Sequence, residues 1–340
     1  MRTYQYLPFL EARGVQFFAA PLLQDDYVKG LYGGTVPIFS VLRSYLKRMV
    51  LLLRAQRFDV VWVEKEIFPW LPFWVERALC PNGVPVVVDY DDAIFHRYDR
   101  HKSSWVRALL GKKIDAVMRR ADIVIVGNEY LGNRARSAGA KRVELLPTVV
   151  SVTRYTAAVA ELKGLVTIGW IGSPSTAHYL RLIAPVIQEI VASRGARVVA
   201  IGANAEQLKG LPIEGKPWSE QSEVSAIQQF DIGIMPLPDE PFERGKCGYK
   251  LIQYMACGKP VVASPVGVNR VIVHEGLEGF LPVDLSQWSD ALRELCDDPS
   301  LRERLGVAGR ARVESEYSLQ LTAPRLEVLL RSLAKTSCLA

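Results

Sequence analysis

Residues 243–267 read ERGKCGYKLIQYMACGKPVVASPVG, from Glu243 to Gly267, and this stretch decides how the rest of the chain is understood. Gly245 and Gly248 let the backbone come close to a bound group, and the run from Tyr249 to about Cys257 holds no helix breaker, which predicts a helix. The first turn of such a helix presents unpaired N–H groups and a partial positive charge, so an anion fits in front of it. Lys246 and Lys250 add full charges. Gly258 and Pro260 stop the helix, and Val261, Val262 and Ala263 form a short apolar strand of the kind buried in a parallel sheet. On the residues alone, glycines and lysines at a helix start are equally compatible with solvated punctuation. Lys259, in the turn after Gly258, is expected to face solvent.

This stretch resembles the GT-B glycosyltransferases, and within them family 4. That family's signature places a glycine-containing loop before a helix ending in a Met-Ala step, then a glycine and a Pro-Val-Val strand. Here those places are taken by Met255, Ala256, Gly258, Pro260, Val261 and Val262. Two glutamates bracket the element in the broad family, and this sequence has Gly245 and Gln253 at their positions. The resemblance implies an α/β fold of two Rossmann-like domains facing across a cleft. It also implies transfer of a sugar from a nucleotide-sugar donor with retention, and calls for no metal and no cofactor. As implied roles, Lys246 and Lys250 hold the diphosphate, Gln253 the ribose or phosphate, and Gly172 and Ser173 the nucleotide side. Gly248, Val266, Gly267 and Asn269 touch the donor, and Asp91 serves the acceptor or the reacting sugar.

A chain of 340 residues exceeds what one core usually organises, and 49% hydrophobic with 23% charged residues is ordinary for a folded protein. Residues 1–150 carry a net charge of +7 and residues 151–340 one of −1, within a total of +6. The five cysteines form no CxxC pair, so neither a disulfide framework nor a zinc site is indicated, and they read as reduced cytoplasmic thiols. No apolar run is long enough to cross a bilayer, and no signal peptide pattern opens the sequence.

In the first half, residues 15–20, 59–64, 85–89, 122–126 and 143–146 are short apolar or β-branched runs separated by segments that can hold helices. That alternation predicts a parallel sheet with helices on its faces. QYLPFLEARG reads as a helix ending at Gly14 with no strand before it, whereas the resemblance implies a strand and a glycine turn ahead of it. The expectation is therefore that a first, central strand lies outside the sequence. Val41 to Phe58 carries Arg43, Lys47, Arg48, Arg54 and Arg57 among Leu, Val and Met. Such a helix can lie on an anionic membrane, each cation contributing about 1 kcal/mol, or be a surface helix with solvated arginines. A second basic segment runs from Arg97 to Arg120, and no nucleic-acid-binding motif accompanies either.

VVVDYDDAIFHRYD, Val86 to Asp99, places Asp89, Asp91 and Asp92 after a buried strand, where open α/β sheets bind ligands. Asp92 is equally suited to capping the next helix. Asp89 and Asp91 match the letters of an Asp-x-Asp metal site, which the GT-B resemblance argues against. The stretch 147–165 loosens in pattern and reads as a linker. LVTIGWIGS then forms a strand running into Gly172, Ser173 and Thr176 at a helix start, and Ala196–Ala203 and Phe230–Pro238 supply further strands. The domains expected are 1–150 on the acceptor side, 165–316 binding the nucleotide sugar, and a helix at 317–336 returning to the first, in which Pro324 should break or start the helix.

The expected partners are a nucleotide-sugar donor, a glycan or lipid-linked acceptor and, through residues 41–58, an anionic membrane surface, with no nucleic acid. Two other classes stay open. A catalytically silent nucleotide-sugar binder would keep the loop and lose transfer. A nicotinamide-dependent oxidoreductase would share the strand order, although no G-x-G-x-x-G follows a strand here.

Overall fold

The computed structural model describes residues 2–23, 38–80, 83–157 and 164–334. The chain divides into two compact units, one of residues 1–146 with 323–340 and the other of residues 147–322. Each is built on a parallel sheet.

Among the described residues the first unit has four strands in the order β1 (Val61–Glu64), β2 (Val86–Tyr90), β3 (Ile123–Val126) and β4 (Val143–Leu145). All neighbours run parallel. Every residue of β2 and β3 is buried, as expected for apolar strands covered on both faces. Three helices are needed below: α1 (Ile38–Leu53), α2 (Phe73–Leu79) and α3 (Ser104–Leu110). The run 15–20, expected as a strand, is not one. It pairs with no strand and is held by side-chain contacts: Phe18 stacks on Phe58 at 6.0 Å, and Arg48 donates to the Ala20 carbonyl at 2.5 Å. Arg48 is thus turned inward, contrary to its expected place among the surface cations.

Among the described residues the second unit has six parallel strands: β5 (Thr167–Ile171), β6 (Arg197–Ile201), β7 (Glu214–Lys216), β8 (Ile232–Met235), β9 (Val261–Ala263) and β10 (Gly279–Phe280). Their spatial order is β10-β9-β8-β5-β6-β7. Alternate residues feed two cores, with Ile168, Ala200 and Val262 on one face and Ile171, Val199 and Val261 on the other. From β5 the chain winds outward through β6 and β7, then restarts at β8 on the opposite flank of β5. Beyond the carboxyl ends of β5 and β8 the winding reverses, which is where open sheets of this kind bind ligands.

Helix α4 (Tyr249–Ala256) follows β8, and α5 (Pro299–Glu316) packs against it. The close fit is visible at Gly306, where a Cβ would stand 2.1 Å from the Gly258 carbonyl oxygen. Because α5 covers the turn, Lys259 is buried rather than solvent-facing, and burial pushes its amine pKa down, with Asp231 opposing. Helix α6 (Leu319–Arg331) runs through Pro324 without a break. The missing N–H falls in the second turn, and buried Ala323 and Leu326 on either side hold the helix in place. Residues 158–163 of the expected linker lie outside the described residues.

Candidate functional site

The winding reversal in the second unit brings three sequence-distant groups together. Gly172 leaves β5 with its N–H bonded to the Ile201 carbonyl at 3.0 Å. A Cβ there would lie 2.5 Å from the Trp170 ring and 2.6 Å from Lys250 Nζ, so any side chain would have to displace the ring and the ammonium. The Lys250 ammonium sits 4.1 Å from the centre of the Trp170 indole. Its charge is opposed by burial and by Lys246, which together push its pKa down to about 7, and among the described residues no carboxylate offsets them. A partly buried cation without a carboxylate partner is costly, and an arriving anion relieves that cost.

Helix α4 begins at Gly248, whose φ of +63° is a left-handed conformation that a side chain resists. A Cβ at Gly248 would meet Ile272 Cδ1 at 2.2 Å and lie 3.4 Å from Asn269 Oδ1. The segment after β9 therefore closes over the helix start. Gly267 rests on the Arg244 backbone, Val266 is buried, and the Asn269 amide donates to the Ser264 carbonyl at 3.0 Å. Lys246 Nζ lies 5.1 Å from the Phe242 ring centre. Ser173 is exposed at the start of a 3-10 helix, Pro174–Ile183, with its hydroxyl 2.8 Å from that of Ser175.

Gln253 stands apart from this group. It is buried on the inner side of α4, and its Nε2 donates to the Tyr155 hydroxyl at 2.9 Å. Tyr155 donates in turn to Glu223, which also accepts from Trp218 Nε1 at 2.8 Å. Sequence reasoning missed Trp170, Tyr155 and Glu223. For Trp170 a signal was available, since it lies two residues before Gly172 on the same strand face; nothing local marks the pairing of residues 155 and 223.

Asp91 belongs to the first unit, at the carboxyl end of β2. Lys65 Nζ is 3.0 Å from its Oδ1 and 3.8 Å from Asp92 Oδ2. Burial raises the Asp91 pKa, but Lys65 and then Arg2 outweigh it, and the carboxyl ends below its ordinary value. Lys65 has a φ of +69°, and the Glu66 N–H bonds the Glu64 carbonyl across it at 2.9 Å, a strained tight turn. Asp89 is buried with Arg2 Nε at 2.8 Å, and burial carries its pKa up to about 6. Asp89 and Asp91 thus each face a cation. Asp92 also turns toward Lys65, and the N-cap position of the next helix is Phe95.

Two family models match in succession: the glycosyl transferase 4-like domain over residues 3–148 and glycosyl transferases group 1 over residues 163–298. The chain belongs to the group 1 glycosyltransferases. Among curated relatives of this group 1 glycosyltransferase is a GDP-mannose-dependent monoacylated alpha-(1-6)-phosphatidylinositol monomannoside mannosyltransferase of Corynebacterium glutamicum. It is 28% identical over 62% of this chain and 62% of its own length. A sulfoquinovosyl transferase of Arabidopsis thaliana is 26% identical over 68% of this chain and 49% of its own. The chain spans less than two thirds of the length of these relatives. Among solved structures, sucrose-phosphate synthase from Thermosynechococcus elongatus superimposes with a TM-score of 0.68 at 17% identity, covering 87% of this chain and 79% of that one. Anabaena HepE in complex with UDP-glucose gives 0.66 at 13% identity, covering 84% and 82%. The fold of this group 1 glycosyltransferase is GT-B.

Proposed function

We propose that this group 1 glycosyltransferase moves a sugar from a nucleotide-sugar donor to a glycan or lipid-linked acceptor, with retention and without a metal. The observation that carries the reading is Lys250, a cation with no carboxylate partner among the described residues, held over Trp170 beside Gly172 where the sheet winding reverses. The relatives support the donor class: one is named for GDP-mannose and another was solved with UDP-glucose.

As the glycosidic bond breaks, negative charge gathers on the departing diphosphate, and cations already fixed in place stabilise that charge without reorganising. Lys250 and Lys246 supply the charge, and the first turn of α4 supplies N–H donors. Gly248, Gly267, Val266 and Asn269 shape the backbone that approaches the donor, with Gly172 and Ser173 on the nucleotide side. Gln253 acts from behind, fixing Tyr155 and through it the inner face of α4. Asp91, kept ionised by Lys65, orients hydroxyls of the acceptor or the reacting sugar. Each charge-assisted hydrogen bond contributes about 1.5–3 kcal/mol.

The test is a thermal-shift panel of nucleotide sugars, followed by transfer assays with those that bind. A ligand at 100 times its dissociation constant adds about 2.7 kcal/mol of stability. One or more nucleotide sugars should stabilise the protein, and Lys250→Ala should reduce that shift and abolish transfer while the fold persists. A panel without any shift, or a shift intact in Lys250→Ala, overturns the reading.

A further inference from the structure

We infer that the first unit docks on an anionic phospholipid bilayer through the outer face of α1 and the tryptophans beside it. Phe39, Leu42, Leu46, Val50 and Leu53 are all more than half exposed, Phe39 at 89%. At 3.6 residues per turn these five fall within an arc of about 80°. Arg43, Lys47 and Arg54 are exposed and lie along one flank of that arc. No acidic residue occurs in the helix. The inner face is accounted for: Leu52 is buried, and the Tyr45 hydroxyl donates to the Pro69 carbonyl at 2.7 Å.

Neighbouring segments carry further exposed apolar side chains. Trp70 and Trp74 follow Pro69 and are 55% and 68% exposed. Trp70 meets the His101 ring edge-on at 5.8 Å, and Arg107 of α3 donates to the His101 carbonyl at 2.6 Å. On that same helix Trp105 is 84% exposed and Leu109 64%. Tyr45 on the inner side of α1, Trp70 and Arg107 thus tie that helix, the Trp70 turn and α3 together, in the half of the sequence with a net charge of +7.

Folded proteins rarely leave so long an apolar helix stripe to water. Charge selects the occupant. A second copy meeting this face with its helix antiparallel across a two-fold axis would bring like-charged flanks together. An anionic lipid surface takes the apolar stripe at the acyl boundary, the tryptophans at headgroup level and the cations against phosphate. No described helix is long and apolar enough to cross a membrane, so the surface rests on the bilayer rather than spanning it. The inference is independent of sugar transfer.

The experiment is co-sedimentation of the full chain with vesicles of phosphatidylcholine alone or mixed with phosphatidylglycerol. It uses wild type, Phe39→Ser/Leu42→Ser/Leu46→Ser and Arg43→Gln/Lys47→Gln/Arg54→Gln, with circular dichroism verifying that all fold. Wild type should bind the mixed vesicles with a blue shift in tryptophan emission. The cation variant should bind about a hundredfold more weakly at low salt, and the apolar variant should lose binding. Failure of wild type to bind mixed vesicles, or equal binding by all three proteins, overturns the inference. So does a wild-type dimer in sedimentation velocity that the apolar variant abolishes, if no vesicle binding accompanies it.

Discussion

Lys250 and Trp170 form a cation–π pair 4.1 Å from ammonium to ring centre, and among the described residues no carboxylate shares the site. The ring is a weaker counterpart than a carboxylate, so the charge is held in position without being neutralised. The pair therefore costs the ligand-free protein stability while readying it for an anion.

From this follows an unusual mutant. Lys250→Met keeps the stem's apolar contacts and removes the poorly compensated charge, so the ligand-free protein should become more stable by about 1 kcal/mol or more. The same change should weaken binding of UDP or GDP by at least about tenfold, one charge-assisted hydrogen bond being lost. Urea unfolding and calorimetric titration together check it; a destabilised variant with intact binding contradicts it.

The pH dependence has a definite sign. Folding takes the Lys250 pKa from 10.5 down to about 7, so between those values the unfolded chain holds more protons than the folded one. This group therefore makes ligand-free stability rise with pH across that window. Diphosphate binding favours the charged amine, so affinity should fall above about pH 7 and binding near pH 8 should take up a proton. Titrations in two buffers of different ionisation enthalpy measure that proton, which Lys250→Met should eliminate.

Gln253 has a reason to be an amide. Its Nε2 gives a proton to the Tyr155 hydroxyl, which has already given its own to Glu223. Gln253→Glu would face that oxygen with a second acceptor, close to another buried carboxylate. The loss should be about 1–3 kcal/mol at neutral pH and smaller near pH 5, where the new carboxyl can protonate and donate. Urea midpoints at the two pH values decide; equal loss at both argues against the hydrogen-bond direction.

Gly248→Ala combines a left-handed backbone with a Cβ 2.2 Å from Ile272 Cδ1. Strain and overpacking together should cost roughly 2–4 kcal/mol and loosen the segment 266–272. Hydrogen exchange at Val271 and Ile272, read beside global unfolding, separates this from a change confined to the helix start.

Much of the second unit was legible because its signals are local. β5, β6, β8 and β9 are apolar runs with glycine or proline nearby, and α4 lies between Gly248 and Gly258. Helix α5 was not read, although Asp298 caps it through the Leu301 N–H at 2.9 Å and Pro299 opens it. Its Gly306 and Gly309 look like helix breakers until the turn and Met255 are seen pressed against them. Lys259 was misjudged for the same reason, since its burial is imposed by a helix some forty residues away. In the first unit, nothing adjacent in sequence to Lys65 foretells its left-handed backbone or its approach to Asp91.

The division between the units falls twice in the chain, after Leu146 and again inside α6 after Thr322. The later unit is therefore an insert within the earlier one. Residues past Thr322 bring Leu326, Leu329 and Leu330 to the earlier unit's interior, and Arg331 bonds the Arg13 carbonyl at 2.7 Å. A fragment stopped at residue 146 would accordingly leave a hydrophobic gash where that last helix belongs, so whoever wishes to study the earlier unit in isolation must splice the two ends together.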